Sequence, residues 1–298
     1  MVEKCTLEGV PGSVMISSLA ELVTPLTRAA FVELVRTRTP RLVKGAGADG
    51  RYALLLDWRG LMEIVLDGTF PAHKLRVTQR GAILAGKVWR DGDRPKAAVI
   101  EALMTQGASI VAYDIDPSVP AMAAVARAMA AELGEHVLGS AIATTGDGGA
   151  LDVHYDEGDL TVLQVEGSKR WLIYRDAAEH PIPGMPAAES DDDGAVLLDI
   201  VLDPGDLLFV PAGYRHRCEN AAERSLHLGF FLYPLTAIRA LDLVTRRLSS
   251  KPDHRRPLRG PSLQEDDLKR RLIAEIEGMS LNDLLERHRQ TDPFATTY

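Results

Sequence analysis

His154-Tyr155-Asp156-Glu157-Gly158-Asp159-Leu160-Thr161-Val162-Leu163-Gln164-Val165-Glu166-Gly167-Ser168-Lys169-Arg170-Trp171 decides how this 298-residue chain is read. An H-x-D pair precedes an apolar run, a Gly-Ser turn and a second run that opens on a lysine. Side chains alternate along a strand, so the spacing predicts His154 and Asp156 on one side of a strand. A third candidate, His216, closes the segment Pro211-Ala212-Gly213-Tyr214-Arg215-His216 and is expected from a later strand, as across a small β-barrel. Two imidazoles and a carboxylate can hold one face of an octahedral metal and leave the other open. That set favours Fe(II) and admits a small co-substrate and dioxygen together.

Short strands separated by turns are predicted at about 136–144, 159–165, 169–175, 196–201, 206–210 and 225–232. The pattern suggests a double-stranded β-helix of the jelly-roll or cupin kind, and with the helices around it an α+β fold. An Ala-rich helix runs ahead of the barrel from Asp116-Pro117-Ser118 to Leu133, stopped by Gly134. The first hundred residues read as a mixed segment packing on the barrel. It has one helical run over 18–36 ended by Thr39-Pro40, a strand at 41–45, a helix at 61–66, strand-like pieces at 75–77 and 83–84, and a loop at 90–95. The insert 176–195, with Pro181, Pro183, Pro186 and Asp191-Asp192-Asp193-Gly194, reads as a surface loop.

The last stretch reads as helical. Leu235, Ile238, Leu241, Val244 and Leu248 form a stripe, Ser262-Leu263-Gln264-Glu265 is a capping box, and Ser280 caps a final helix. Such a stripe has to pack on the barrel or on a second copy of the chain. The expected division is therefore 1–100, a barrel over 101–234 and a helical segment over 235–298.

Composition narrows the function classes. A formal charge of −8 argues against a general nucleic-acid binder, and Arg255-Arg256 and Lys269-Arg270-Arg271 read as solvated helix faces. No apolar run approaches a membrane span, and no secretory pattern opens the chain. Two cysteines, Cys5 and Cys218, form no disulfide framework, so a reduced cytoplasmic setting is expected. No nucleophile motif is present, so the chemistry rests on the metal. Lys169 can project into the same interior as the ligands, where an ammonium needs a counter-charge that a dicarboxylate co-substrate would supply. His227 could face the interior too. His136 and His180 read as surface residues, and His73, His254 and His288 have no assigned role.

The stretch 154–171 resembles the core of JmjC-domain 2-oxoglutarate oxygenases, and more closely the bacterial and nucleolar ribosomal-oxygenase group. The resemblance extends upstream to Gly107-Ala108-Ser109-Ile110-Val111. Downstream it takes in Pro204-Gly205-Asp206-Leu207-Leu208-Phe209-Val210-Pro211-Ala212-Gly213-Tyr214-Arg215-His216 and Ser225-Leu226-His227-Leu228. It implies Fe(II) held by His154, Asp156 and His216, and 2-oxoglutarate held by Lys169 with help from Thr144; His227 is a further candidate for that cofactor-binding interior on its own strand position, the other reading being a satisfied core histidine. The resemblance also implies a hydroxylase that acts on an aliphatic C–H of a peptide, protein or amino-acid-like substrate, with succinate and carbon dioxide as co-products. The segment 241–258 is similar to a helical dimerisation region, so a homodimer is expected. Two departures stand out. Ser140 and Ile142 replace an Asn-x-Tyr pair, and the group's winged-helix domain is expected to be lacking. The rival readings are a cupin metalloenzyme without a keto-acid co-substrate and a non-catalytic metal-binding module.

Overall fold

The computed structural model describes residues 16–146, 152–182, 194–255, 257 and 265–290. The N-terminal part runs α1 (Leu19–Val23), α2 (Arg28–Thr37), β1 (Arg41–Val43), α3 (Trp58–Leu66), β2 (Leu75–Gln79), β3 (Ala82–Ile83), α4 (Gly86–Trp89), β4 (Arg90–Asp91), β5 (Arg94–Pro95) and α5 (Ala97–Thr105). Next come β6 (Ala108–Ala112), α6 (Pro120–Leu133), β7 (His136–Thr145), β8 (Asp159–Glu166), β9 (Lys169–Ala177), β10 (Val196–Leu202), β11 (Leu207–Val210), β12 (Tyr214–Asn220) and β13 (Arg224–Tyr233). Three helices follow: α7 (Ala237–Ser249), α8 (Glu265–Glu277) and α9 (Leu281–Gln290).

Two antiparallel sheets face one another. The larger has the order β1-β11-β8-β13-β7-β6-β2-β3 and the smaller β10-β9-β12. Alternation sorts the large sheet's side chains into two layers. Leu226, Leu228, Phe230 and Leu232 of β13 join Ala141 and Ala143 of β7 in the core beneath the helices, with Met122, Val125 and Met129 of α6. The opposite face packs Leu160, Val162, Leu208 and Val210 against Trp171, Ile173 and Cys218 of the small sheet. Each such aliphatic or aromatic burial is worth about 1.5–3 kcal/mol. The result is the expected double-stranded β-helix with helices on its outer face.

The first hundred residues supply β1 and β2–β3 to the large sheet as well as helices that pack on it. Buried Asp206 fastens β1 to the barrel: it accepts from Gly45 N at 2.9 Å and Asp203 N at 2.7 Å and pairs with Lys44 Nζ at 2.7 Å.

Several expectations need correction. The single helix over 18–36 is two, because Pro25 cannot donate within a helix; Thr27 then caps α2 by accepting from Ala30 N. The loop at 90–95 contains the small β4–β5 hairpin. The strand list omits β12, which carries His216. His154 sits not in a regular strand but in one isolated bridge to His216. His136 is buried, and so is His288. His288 Nε2 donates to the Tyr233 carbonyl at 2.6 Å, and His136 Nδ1 to the Arg289 carbonyl at 2.8 Å, so these rings fasten α9 to the barrel.

Ser280 does cap α9, accepting from Asp283 N at 3.1 Å. The Ser262-Leu263-Gln264 cap and residues 183–193 of the insert lie outside the described residues. Among the described residues no helix is long and apolar enough to cross a membrane.

Gly213, with φ +84°, turns the chain from β11 into β12 and donates to the Asp156 carbonyl at 2.9 Å. A Cβ there would overlap the Ala178 carbonyl, whereas one on Gly50 (φ +81°) meets nothing within 4 Å. Gly50→Ala should therefore cost only the backbone strain of about 1–2 kcal/mol, and Gly213→Ala about 3 kcal/mol or more. Equal losses in chemical denaturation would show that the turn is not constrained in this way.

Candidate metal centre

Backbone pairing builds the centre before any side chain acts. His154 N donates to the His216 carbonyl at 3.1 Å, and His216 N returns a bond to the His154 carbonyl at 2.7 Å. The chain leading to Asp156 is thereby laid against β12. On β12 the ladder with β9 slips between Tyr214 and His216, an irregularity of the kind that re-aims a side chain. Beyond the slip, His216, Cys218 and Asn220 pair with Ile173, Trp171 and Lys169. Alternation then gives an inward row on each strand.

His154, Asp156 and His216 each offer a ligand atom, all within 4.8 Å of one another. The imidazole centroids are 4.5 Å apart, and His216 Nε2 lies 3.6 Å from Asp156 Oδ2. Each histidine donates Nδ1–H to a carbonyl, His154 to Asp152 at 2.8 Å and His216 to Tyr214 at 3.0 Å. With Nδ1 so engaged, the Nε2 lone pair is left for a cation. Burial, with His154 nearby, pushes the pKa of His216 below its ordinary value, which keeps the ring neutral as a ligand must be. Trp171 stacks on His216 at 5.5 Å and meets His227 edge-on at 5.6 Å. The donor set and its fixed tautomers fit a divalent metal with an open face.

Lys169 is fully buried, and its Nζ donates to Thr144 Oγ1 at 3.0 Å. Among the described residues no carboxylate pairs with it. Burial lowers its pKa, an effect that neighbouring Cys218 partly offsets; burial in turn pushes the Cys218 thiol up to about 11. His227 is 4% exposed, and its Nδ1 has no hydrogen-bond partner among the described residues. Burial holds its pKa well below the ordinary value, and Lys169 adds to the effect.

The structure therefore brings Lys169 and Thr144 into contact and places His227 on the same interior through Trp171. Elsewhere, His180 is exposed, His73 pairs with Asp93 and His254 with Glu275. Sequence reasoning missed Trp171, which stacks on His216, and the buried hydroxyls of Ser109 and Ser225 on the strands beside Thr144. Their signal was register: Ser109 and Ser225 both pair with Thr144.

Residues 119–238 match the family model described as JmjC domain. Over 81 residues the chain is 41% identical to the bifunctional lysine-specific demethylase and histidyl-hydroxylase NO66 of Drosophila persimilis, covering 27% of this chain and 12% of that protein. It is 40% identical over 84 residues to ribosomal oxygenase 1 of Homo sapiens, covering 27% of this chain and 13% of that one. The match thus spans about an eighth of the length of these curated relatives.

Among solved structures, Escherichia coli ycfD superposes with a TM-score of 0.58 at 16% identity, covering 87% of this chain and 69% of that one. The E. coli ribosomal oxygenase in complex with cobalt and 2-oxoglutarate gives 0.55 at 14% identity, covering 84% and 67%. At those identities the likeness is one of fold. Residues 119–238 are thus similar to a JmjC domain, and the core that holds them has the fold of a cupin-type double-stranded β-helix.

Proposed function

We propose that this chain is an Fe(II)- and 2-oxoglutarate-dependent hydroxylase. Its substrate is an aliphatic C–H of an amino-acid residue in a peptide or protein, or of an amino-acid-like small molecule. Lys169 carries the reading: a fully buried ammonium with no carboxylate partner among the described residues, on the interior shared with the His154–Asp156–His216 cluster. An unpaired buried charge costs several kcal/mol. A dicarboxylate held at one end by the metal and at the other by Lys169 removes that cost. Relatives named histidyl-hydroxylase and ribosomal oxygenase support a protein substrate, and the E. coli structure with cobalt and 2-oxoglutarate supports the co-substrate.

Within this reading His154 and His216 present Nε2, and Asp156 supplies the carboxylate. When bound, the metal supplies the oxidative chemistry that side chains lack. Trp171 keeps the His216 ring in place and excludes water, while Lys169 and Thr144 hold the distal carboxylate and orient the keto acid. His227, buried beside Trp171, faces the same space. Buried Cys218, a free thiol, is in keeping with a reduced, cytoplasmic setting.

A second copy of the chain is the partner we assign to the C-terminal helices. Ile238 and Leu241 of α7 are 59% and 53% exposed, and Ile273 and Ile276 of α8 are also exposed. An uncovered apolar stripe of this kind marks an interaction surface.

His154→Ala and Asp156→Ala should reduce 2-oxoglutarate-dependent succinate formation to background and weaken Mn(II) binding; undiminished turnover in both would dismiss the site. Lys169→Ala should raise the KM for 2-oxoglutarate roughly a hundredfold or more, since removing one partner of a buried charge pair costs about 3–5 kcal/mol. An unchanged KM would place the carboxylate elsewhere. For the stripe, Ile238→Glu combined with Leu241→Glu should halve the mass seen by sedimentation; wild type already monomeric would exclude a dimer.

A further inference from the structure

One row of paired residues crosses four strands of the large sheet. Arg76 on β2 pairs with Val111 on β6, Val111 with Ile142 on β7, and Ile142 with His227 on β13. Their chain neighbours Val77, Ile110, Ala143 and Leu226 belong to the core under the helices. Alternation therefore turns this row the other way, into the interior that His227 shares with Trp171. The row runs from an imidazole beside the candidate metal centre, over two aliphatic side chains, to a guanidinium. With strands about 4.8 Å apart, Arg76 and His227 are separated by about 14 Å of sheet.

Tyr113 holds the arginine in place. The Arg76 Cζ lies over the Tyr113 ring, 5.1 Å from its centroid, and both residues are half-buried. Tyr113 N donates to the Lys74 carbonyl at 2.9 Å, which continues the β2–β6 pairing and keeps Tyr113 on the same side as Val111. Burial raises the pKa of the Tyr113 phenol, Arg76 draws it down, and the Asp156 and Glu157 carboxylates push it up. The ring is thus within electrostatic reach of both Arg76 and the segment that carries the candidate ligands. Neither polar end of the stack is satisfied. Among the described residues Arg76 has no carboxylate partner, and the Tyr113 hydroxyl makes no hydrogen bond. Asp114, the next residue, pairs with Lys74 instead. A guanidinium stacked on an aromatic ring keeps its planar fork of donors available to a carboxylate.

We propose that Arg76, laid over Tyr113, receives a carboxylate of the primary substrate, and that Val111 and Ile142 carry the apolar part of that substrate toward the metal centre. The inference rests on the reading of the chain as a 2-oxoglutarate-dependent hydroxylase and names the substrate class within it. Tyr113 supplies a second donor beside the fork. A cationic side chain brought to the same place is repelled by the guanidinium. The same chemistry is offered by the α-carboxylate of a free amino acid, by a peptide C-terminus and by an Asp or Glu side chain, and the test separates these sources.

The test uses the full chain loaded with Mn(II) and 2-oxoglutarate and follows binding of three paired probe sets by ligand-observed NMR. The pairs are the free L-amino acids against their amides, acetylated dipeptides with a free C-terminus against their C-terminal amides, and capped tripeptides with a central Asp or Glu against the Asn or Gln forms. In at least one set the carboxylate member should bind about tenfold or more tighter, as expected for hydrogen bonds to a charged group, and that set identifies the source. Arg76→Gln should abolish the preference while leaving the Kd for 2-oxoglutarate within about twofold of wild type. Arg76→Lys, which keeps the charge without the fork, should retain part of it. If Arg76→Gln fails to fold, Arg76→Met replaces it, keeping an apolar stem on the ring. No preference in any set, or a preference that survives in the folded variant, overturns the role of Arg76 and leaves the hydroxylase reading standing. Wild type that binds no 2-oxoglutarate overturns both.

Discussion

Two backbone hydrogen bonds between His154 and His216 hold the centre together. They join a segment outside the regular strands to β12, and they do so without using any side-chain atom that a metal would need. All three candidate ligands depend on them. His216 is in the bridge, His154 is its partner, and Asp156 follows two residues on, where the Gly213 N–H takes its carbonyl. The bridge is short, so it draws its strength from neighbours: β9 pairs with β12 on one side, and Trp171 covers the His216 ring. Preorganisation of this kind places the ligand atoms before a cation arrives, which lowers the entropic cost of binding it.

Polar burial is the second constraint. Beside the apolar cluster of Leu160, Val162, Ile173 and Val210 the structure buries the Lys169 amine against the Thr144 hydroxyl. Replacing such a group by a hydrophobic residue of similar shape is often neutral or stabilising. Burial of Lys169 is therefore not explained by what it contributes to folding. Burial favours its neutral form, and a carboxylate placed beside it would restore the charged form.

Much of this was legible from residue order, and what escaped did so for physical reasons. Lys169 was readable because a tight Gly167-Ser168 turn joins two apolar runs, and His154 and Asp156 because of their residue types and spacing, although the strand that the spacing predicted for them is a single bridge. β8 and β13 were readable as apolar runs. β12 was hidden, since Tyr-Arg-His-Arg-Cys-Glu-Asn is mostly polar and only its inward row meets the barrel. Ser109 and Ser225 were overlooked because serine carries no strand signal, and their importance comes from pairing with Thr144 across the sheet. His136 looked like a surface residue and His288 had no assigned role because nothing local announces that α9 docks on the strand carrying His136. The helix breaks at Pro25 because its ring cannot continue the hydrogen-bond ladder, whatever the apolar spacing on either side.

The placement of Trp171 has an experimental benefit. The other two indoles, Trp58 in α3 and Trp89 in α4, belong to the N-terminal segment, whereas Trp171 lies face to face with a candidate ligand ring and edge-on to His227. Emission from this side chain reports on the state of the barrel interior, so the protein carries its own optical probe at the point where chemistry is expected and needs no attached dye.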